Sequence, residues 1–100
     1  MTFSIKQSTQ FKKDLKKCIK RGLDLEQLRI VLLLLQKGET IPEKYKDYPL
    51  LPTKEFINCR ELHIEPDWLL VYKYSNRDVI LYLVRTGTHS DLFKWFLSKM

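Results

Sequence analysis

Two apolar segments separated by only six residues dominate the second half of the chain and restrict the folds that are possible. Residues 69–72 (LLVY) and 79–84 (VILYLV) are apolar at consecutive positions, whereas a half-exposed strand would alternate apolar and polar residues. The intervening SNRD (75–78) is typical of a tight turn. We therefore predict an antiparallel hairpin of strands 68–74 and 79–86 in the centre of a sheet, with both faces covered.

Further strands are predicted on either side of this hairpin. Residues 3–7 (FSIKQ) alternate apolar and polar and predict a short first strand. A strand over about 55–64 should end before Pro66, which has no N–H to donate to a sheet. Three prolines make residues 40–53 an irregular connection.

The first helix is predicted over residues 9–21, because apolar side chains recur there at helical spacing on an otherwise basic segment. Ser8 or Thr9 can cap its start, and Gly22 ends it. Asp24 caps a second, leucine-rich helix that ends at Gly38.

So short a link between the two helices predicts an antiparallel helical hairpin. Thr88 can cap a last short helix, SDLFKWFL. The resulting order, β-α-α-β-β-β-α, predicts an α+β fold in which the N-terminal helical hairpin packs on a small, mostly antiparallel sheet.

Length and composition indicate one cytoplasmic domain over residues 1–100. The apolar run 30–35 is far too short to span a bilayer. Cys18 and Cys59 show no metal-ligand spacing, so we expect two core cysteines and no metal or other cofactor. The formal net charge of +6 favours a polyanionic partner, although solubility alone would also explain it.

Both histidines of the chain are predicted to lie at one end of the sheet. His63 and Asp67 flank the turn at Pro66, and His89 follows the last strand. If the last two strands pair through SNRD, Arg85 near the end of one lies close to the start of the other. The sequence thus predicts a cluster of His63, Asp67, Arg85 and His89.

Such a cluster could cleave RNA through the RNA's own 2′-hydroxyl group. One histidine would remove the hydroxyl proton, and the other would protonate the departing 5′-oxygen. An arginine would stabilise the charge on the phosphoryl oxygens. Each residue also has a structural explanation: a hydrogen-bonded His63, a surface His89 and a turn residue at Asp67. Trp68 and Phe93 could contact a base or belong to the core.

Three segments, YKDYPL, RELHIEPDWLLVYKY and LVRTGTHSDLF, resemble in order and spacing the YafQ branch of the RelE/ParE toxin superfamily. The resemblance covers nearly the whole chain. It implies a microbial-ribonuclease-like domain that serves as the toxin of a type II toxin–antitoxin system. Such toxins enter the A site of the 70S ribosome and cut the mRNA being translated.

The resemblance also implies roles for individual residues. His63, Asp67 and His89 match catalytic positions, Arg85 matches a phosphate-binding arginine, and Trp68 and Phe93 match positions tied to activity. We favour His63 and Asp67 for proton abstraction and orientation and His89 as the acid, although the base and acid labels could be exchanged. Where the family loop usually has KDHPL, this chain has Tyr48, which could bind substrate through a hydrogen bond to a phosphate or act as an acid, but is a poor base near neutral pH. Arg21 and five lysines of the first helix would face ribosomal RNA: Lys12, Lys13, Lys16, Lys17 and Lys20.

The family implies a cognate antitoxin as partner, in a hetero-oligomeric complex that binds promoter DNA through the antitoxin. Two alternatives remain at this point. One is a ParE-like toxin that poisons gyrase without cutting RNA, for which proton-transfer groups would be unnecessary. The other is a catalytically silent relative that acts only by binding.

Overall fold

The computed structural model describes residues 2–52 and 56–98. A short 3-10 helix (Glu43–Tyr45) precedes the second strand. The strands and α-helices within the described ranges follow in the order β1 (Ser4–Gln7), α1 (Thr9–Lys20), α2 (Leu25–Gln36), β2 (Tyr48–Pro49), β3 (Arg60–Glu65), β4 (Trp68–Ser75), β5 (Ile80–Gly87) and α3 (His89–Ser98).

The five strands form one sheet in the order β1-β5-β4-β3-β2. β1 runs parallel to β5, and the other neighbouring pairs are antiparallel. β4 and β5 each have a strand on both sides, as their apolar sequences predicted. Their side chains are covered because α1 packs against the sheet and α3 also lies against β5. The predicted α+β fold is confirmed.

Local capping explains the helix boundaries. The Ser8 hydroxyl accepts the Phe11 N–H at 2.9 Å, and the Asp24 carboxylate accepts the Glu26 N–H at 3.0 Å. Gly22 and Gly38 follow α1 and α2 with positive φ angles of 77° and 69°, which suit glycine. The three helices therefore begin and end close to the predicted residues.

The connection before β3 differs from the prediction. The predicted strand from about residue 55 begins only at Arg60, because Asn58 has a left-handed backbone (φ 58°) that an extended strand cannot contain. Residues 53–55 lie outside the described part of the chain. The segment predicted to be irregular contains the two-residue edge strand β2, where Pro49 is tolerated because one side has no neighbouring strand.

Apolar side chains fill both faces of the sheet. The helix-side core includes Phe11, Cys18, Val31 and Trp68, and a smaller cluster on the opposite face includes Cys59 and Leu92. Both cysteines are buried and free, as expected of core residues. No helix of the described residues has the length and apolar character needed to cross a membrane.

Candidate functional site

The predicted meeting of Asp67 and His89 is present in the structure. Asp67 lies in the turn between β3 and β4, and His89 is the first residue of α3. The Asp67 carboxylate accepts the His89 backbone N–H at 3.1 Å, and the same oxygen lies 2.7 Å from Nδ1 of the His89 ring. These hydrogen bonds from His89 lower the pKa of Asp67, so the carboxylate is ionised at neutral pH. The contact leaves Nε2 of His89 as the nitrogen that can exchange a proton with a substrate.

His63 lies beside His89 across the end of the sheet. Leu69 of β4 pairs with His63 on one side and with Gly87 on the other, which brings the ends of β3 and β5 together. The two imidazole centroids are 5.5 Å apart. His63 is half-buried, and its buried Nδ1 has no hydrogen-bond partner among the described residues.

A buried carboxylate, Glu61, lies behind His63 and was missed by sequence reasoning. It is 2% exposed, and its Oε1 is 4.0 Å from Nε2 of His63. The two residues are separated by one position in β3, and the strand period of two places both on the same face. This spacing could have identified Glu61 from the sequence, because a carboxylate two residues from a functional histidine on a strand lies beside it.

Tyr48, which replaces the usual loop histidine, is the partner of Glu61. Its hydroxyl donates to Oε1 of Glu61 at 2.5 Å, and its ring centroid is 6.0 Å from that of His63. The hydrogen bond to Glu61, followed by partial burial, raises the pKa of Tyr48 to about 12. Tyr48 is therefore a proton donor and not a base throughout the physiological range.

Arg85 is placed differently from the prediction. Its Nε donates to Oδ2 of Asp14 at 2.7 Å, and a second guanidinium nitrogen donates to Oδ1 at 3.2 Å. Asp14 is a buried residue of α1 that also accepts the Thr86 N–H. Arg85 thus ties β5 to α1, and its charge is balanced by a carboxylate that sequence reasoning did not assign to it.

The two aromatic residues assigned to base contact lie in the core clusters. Trp68 is 1% exposed, and its Nε1 donates to the Thr86 hydroxyl at 2.9 Å. A ring so enclosed cannot stack on a base in this conformation, so the core alternative is correct for Trp68. Phe93 is half-buried and meets Phe56 edge-on, with ring centroids 6.1 Å apart.

The remaining predicted residues are the lysines of α1, and all five are exposed. They carry the positive charge of one outer surface, which we call the basic face: Lys12, Lys13, Lys16, Lys17 and Lys20.

The two histidines, together with Glu61, could hold a metal ion, and His63 also borders a cleft. One ligand atom each from Glu61, His63 and His89 lies within 4.8 Å of the others, a donor set that suits a transition metal. An adjoining cleft of about 290 Å³ is lined by residues that include His63, Tyr45 and Lys46. The site therefore combines two neighbouring imidazoles with an open cleft beside one of them, His63.

Comparisons with known proteins agree with the family resemblance seen in the sequence. A family model described as the bacterial toxin of the type II toxin–antitoxin system, YafQ, matches residues 3–94. The mRNA interferase toxin YafQ of Escherichia coli K12 is 40% identical over 90 residues, which cover 89% of this chain and 94% of that protein.

Solved structures agree with the match in sequence. The toxin in the E. coli DinJ-YafQ toxin-antitoxin complex has a TM-score of 0.82 and 37% identity, and covers 93% of this chain and 99% of its own. A metal-bound toxin from Helicobacter pylori has a TM-score of 0.83 and 42% identity, and covers 93% of this chain and 100% of its own. The chain therefore belongs to the YafQ family of bacterial type II toxins, and the predicted family and its enzyme class, mRNA interferase, are confirmed.

Proposed function

We propose that this protein is a ribosome-dependent endoribonuclease that cuts mRNA in the A site by acid–base catalysis. The observation that carries this proposal is the pair of imidazoles with centroids 5.5 Å apart, one of which is held by a carboxylate. Two such groups suffice to move both protons in cleavage by the 2′-hydroxyl. We further propose that it acts in the bacterial cytoplasm, where translating ribosomes are found.

The reaction transfers the phosphoryl group within the RNA. The 2′-oxygen attacks the adjacent phosphorus while the bond from phosphorus to the 5′-oxygen breaks, which gives a 2′,3′-cyclic phosphate and a free 5′-hydroxyl. One imidazole takes the 2′-hydroxyl proton, and the other gives a proton to the 5′-oxygen. We assign the acid to His89, because the Asp67 carboxylate holds Nδ1 at 2.7 Å and so presents Nε2 as the nitrogen that can pass a proton to the 5′-oxygen.

The contact between Asp67 and His89 changes the role expected for Asp67. The sequence grouped it with His63 for proton abstraction, but the structure places it against His89. In our mechanism Asp67 therefore orients the acid, and His63 alone is the base. The phosphate contact expected for Arg85 and the base contact expected for Phe93 stay proposals, and a phosphate would have to compete with the Asp14 carboxylate that binds the Arg85 guanidinium.

Replacing Tyr48 with phenylalanine should lower the cleavage rate without changing how the rate depends on pH between 6 and 9. The hydroxyl has a pKa of about 12, so it stays protonated over this interval and contributes only the hydrogen bond to Glu61. Loss of one such hydrogen bond to a charged group corresponds to a roughly tenfold lower cleavage rate. Initial rates across this pH range would measure both effects. An alkaline limb that disappears in Tyr48→Phe would show that Tyr48 titrates, contrary to this account.

The basic face is proposed to bind ribosomal RNA through phosphates. Neutralising Lys16 and Lys20 together should weaken ribosome binding and make it less dependent on salt, since each lost phosphate contact lowers the salt slope by roughly one unit. Binding measured between about 50 and 200 mM salt would test this. A salt dependence equal to that of the wild type would indicate that these two lysines only face solvent. Lys37, beyond the end of α2, provides a matched replacement outside the basic face.

A cognate antitoxin is proposed as the partner, because the E. coli YafQ toxin was solved in complex with DinJ. We expect a hetero-oligomeric complex in which the antitoxin supplies contacts to promoter DNA.

The deciding experiment maps the 5′ ends of an mRNA held on a stalled ribosome after treatment with the purified protein. Cuts within the A-site codon, absent from an RNA-only sample, would support the proposal. If the folded protein stops growth but makes no cuts, the gyrase-poisoning alternative would be tested next by DNA supercoiling.

A further inference from the structure

Asp91 joins the start of α3 to the end of α1. Its carboxylate accepts the Thr88 N–H at 3.0 Å, while the Thr88 hydroxyl accepts the Asp91 N–H at 3.1 Å, which forms a reciprocal cap on the helix. The guanidinium of Arg21, just beyond α1, donates to both carboxylate oxygens, at 2.5 and 3.2 Å. Two helices that are far apart in sequence are thereby connected through one bidentate ion pair.

The same carboxylate packs directly against the end of β5. A Cβ atom added to Gly87, whose φ is +153°, would lie 2.8 Å from Oδ2 of Asp91, which is closer than real contacts allow. The backbone that leads from Gly87 into His89 therefore runs against Asp91. Moving Asp91 would release this segment, because the cap and the close contact would be lost together.

Among the described residues, the His89 ring has one hydrogen-bonding partner, Asp67, and the pair is exposed. The side chain of His89 is 51% exposed, and that of its partner Asp67 is 67% exposed. An exposed pair of this kind has weak orientation of its own, since solvent competes for both groups. The direction of the His89 ring therefore depends on where the first turn of α3 is fixed.

We propose that Arg21 and Asp91 are positioning residues that hold His89 in its catalytic orientation, an inference that rests on the proposed role of His89 in cleavage. The hydrogen bond from Arg21, with those from Thr88, holds the pKa of Asp91 far below its ordinary value, so the pair is charged under all assay conditions. Arg21 was expected to face ribosomal RNA together with the lysines of α1. Its guanidinium is instead occupied by Asp91.

The test compares cleavage of ribosome-bound mRNA by Arg21→Ala, Asp91→Asn and Arg21→Lys. Asp91→Asn keeps an oxygen that can cap α3 but removes the charge that binds Arg21. Because displacing a catalytic group by about 1 Å can cost up to ~100-fold, we expect the first two variants to lose roughly tenfold in kcat with KM within about twofold. Arg21→Lys should restore part of the loss.

Arg29→Ala is the matched control. Arg29 forms an exposed ion pair with Glu26 on α2, away from the site, and its removal should leave kcat and KM unchanged. Amide hydrogen exchange gives a second readout, because the His89 N–H is bonded to Asp67. It should exchange at least about tenfold faster in Arg21→Ala than in Arg29→Ala.

The outcomes separate this inference from the proposed function. A raised KM with unchanged kcat in Arg21→Ala would place Arg21 in the RNA-binding surface and overturn the inference. So would unchanged exchange at His89, or an equal loss of kcat in Arg29→Ala. His89→Ala is assayed alongside: if it cuts like the wild type, the acid role proposed for His89 fails, and this inference fails with it. If the wild type itself makes no cuts, the proposed function fails whatever Arg21 does.

Discussion

Replacing His89 with alanine is expected to reduce cleavage of ribosome-bound mRNA by about a thousandfold, within the ~10²–10⁴ range typical of a general acid or base. The substitution removes the ring whose Nδ1 contacts Asp67, and with it the proton donor proposed for the 5′-oxygen. Because the ring is half exposed, the fold should lose little stability. Single-turnover rates on a stalled ribosome, with the 5′ ends mapped, would measure the effect.

Two companion variants make this test specific. Asp67→Asn keeps the shape of the side chain but removes the carboxylate that holds Nδ1 of His89, so we expect a smaller loss than in His89→Ala. His63→Ala should be as damaging as His89→Ala, because the two histidines move different protons in one reaction. If His89→Ala is folded and still cuts at close to the wild-type rate, His89 has no part in the chemistry and the mechanism must be rebuilt around His63 and Glu61.

Replacing Trp68 with alanine is expected to destabilise the protein by about 3–5 kcal/mol, as is usual for an enclosed aromatic side chain. Trp68 is 1% exposed within the helix-side core, and its indole N–H bonds to Thr86. A domain of this size has only ~5–15 kcal/mol to lose. Urea unfolding would give the change in free energy, and toxicity in cells should fall because less of the variant is folded.

Trp68→Phe separates packing from base contact. Phenylalanine keeps most of the apolar volume and loses the hydrogen bond to Thr86, so we expect a cost nearer ~1–2 kcal/mol and near-normal cleavage by the folded fraction. A folded and stable Trp68→Ala variant that cannot cut RNA would instead show that the ring leaves the core to contact substrate.

Much of the candidate site could be predicted because strand pairing fixes where residues lie. Once SNRD was taken as the turn of a hairpin, the start of β4 had to lie beside the end of β5, which brings Asp67 towards His89. The position of Glu61 beside His63 could also have been predicted, since the two residues share one face of a strand. The late start of β3 could not have been predicted, because asparagine tolerates a left-handed backbone without requiring one, and the sequence does not show that Asn58 adopts it.

The ion pairs of the site could not be predicted at all. Arg85 was assigned to phosphate and Arg21 to ribosomal RNA, but they bind Asp14 and Asp91 across separations of 71 and 70 residues. From the sequence alone, any of the twelve acidic residues could have been the partner of either arginine. The choice depends on how α1 packs against β5, which sequence periodicity does not specify.

The sequence alone determined the elements, the central hairpin and the end of the sheet at which the histidines meet. These follow from short-range physics: apolar periodicity, capping side chains, glycine at positive φ and the register of a tight hairpin. Only the tertiary structure decided that Trp68 is enclosed, that Tyr48 bonds Glu61, and that Asp67 holds His89. Those contacts depend on side-chain directions and on distances between segments, which are set when the helices pack on the sheet and not before.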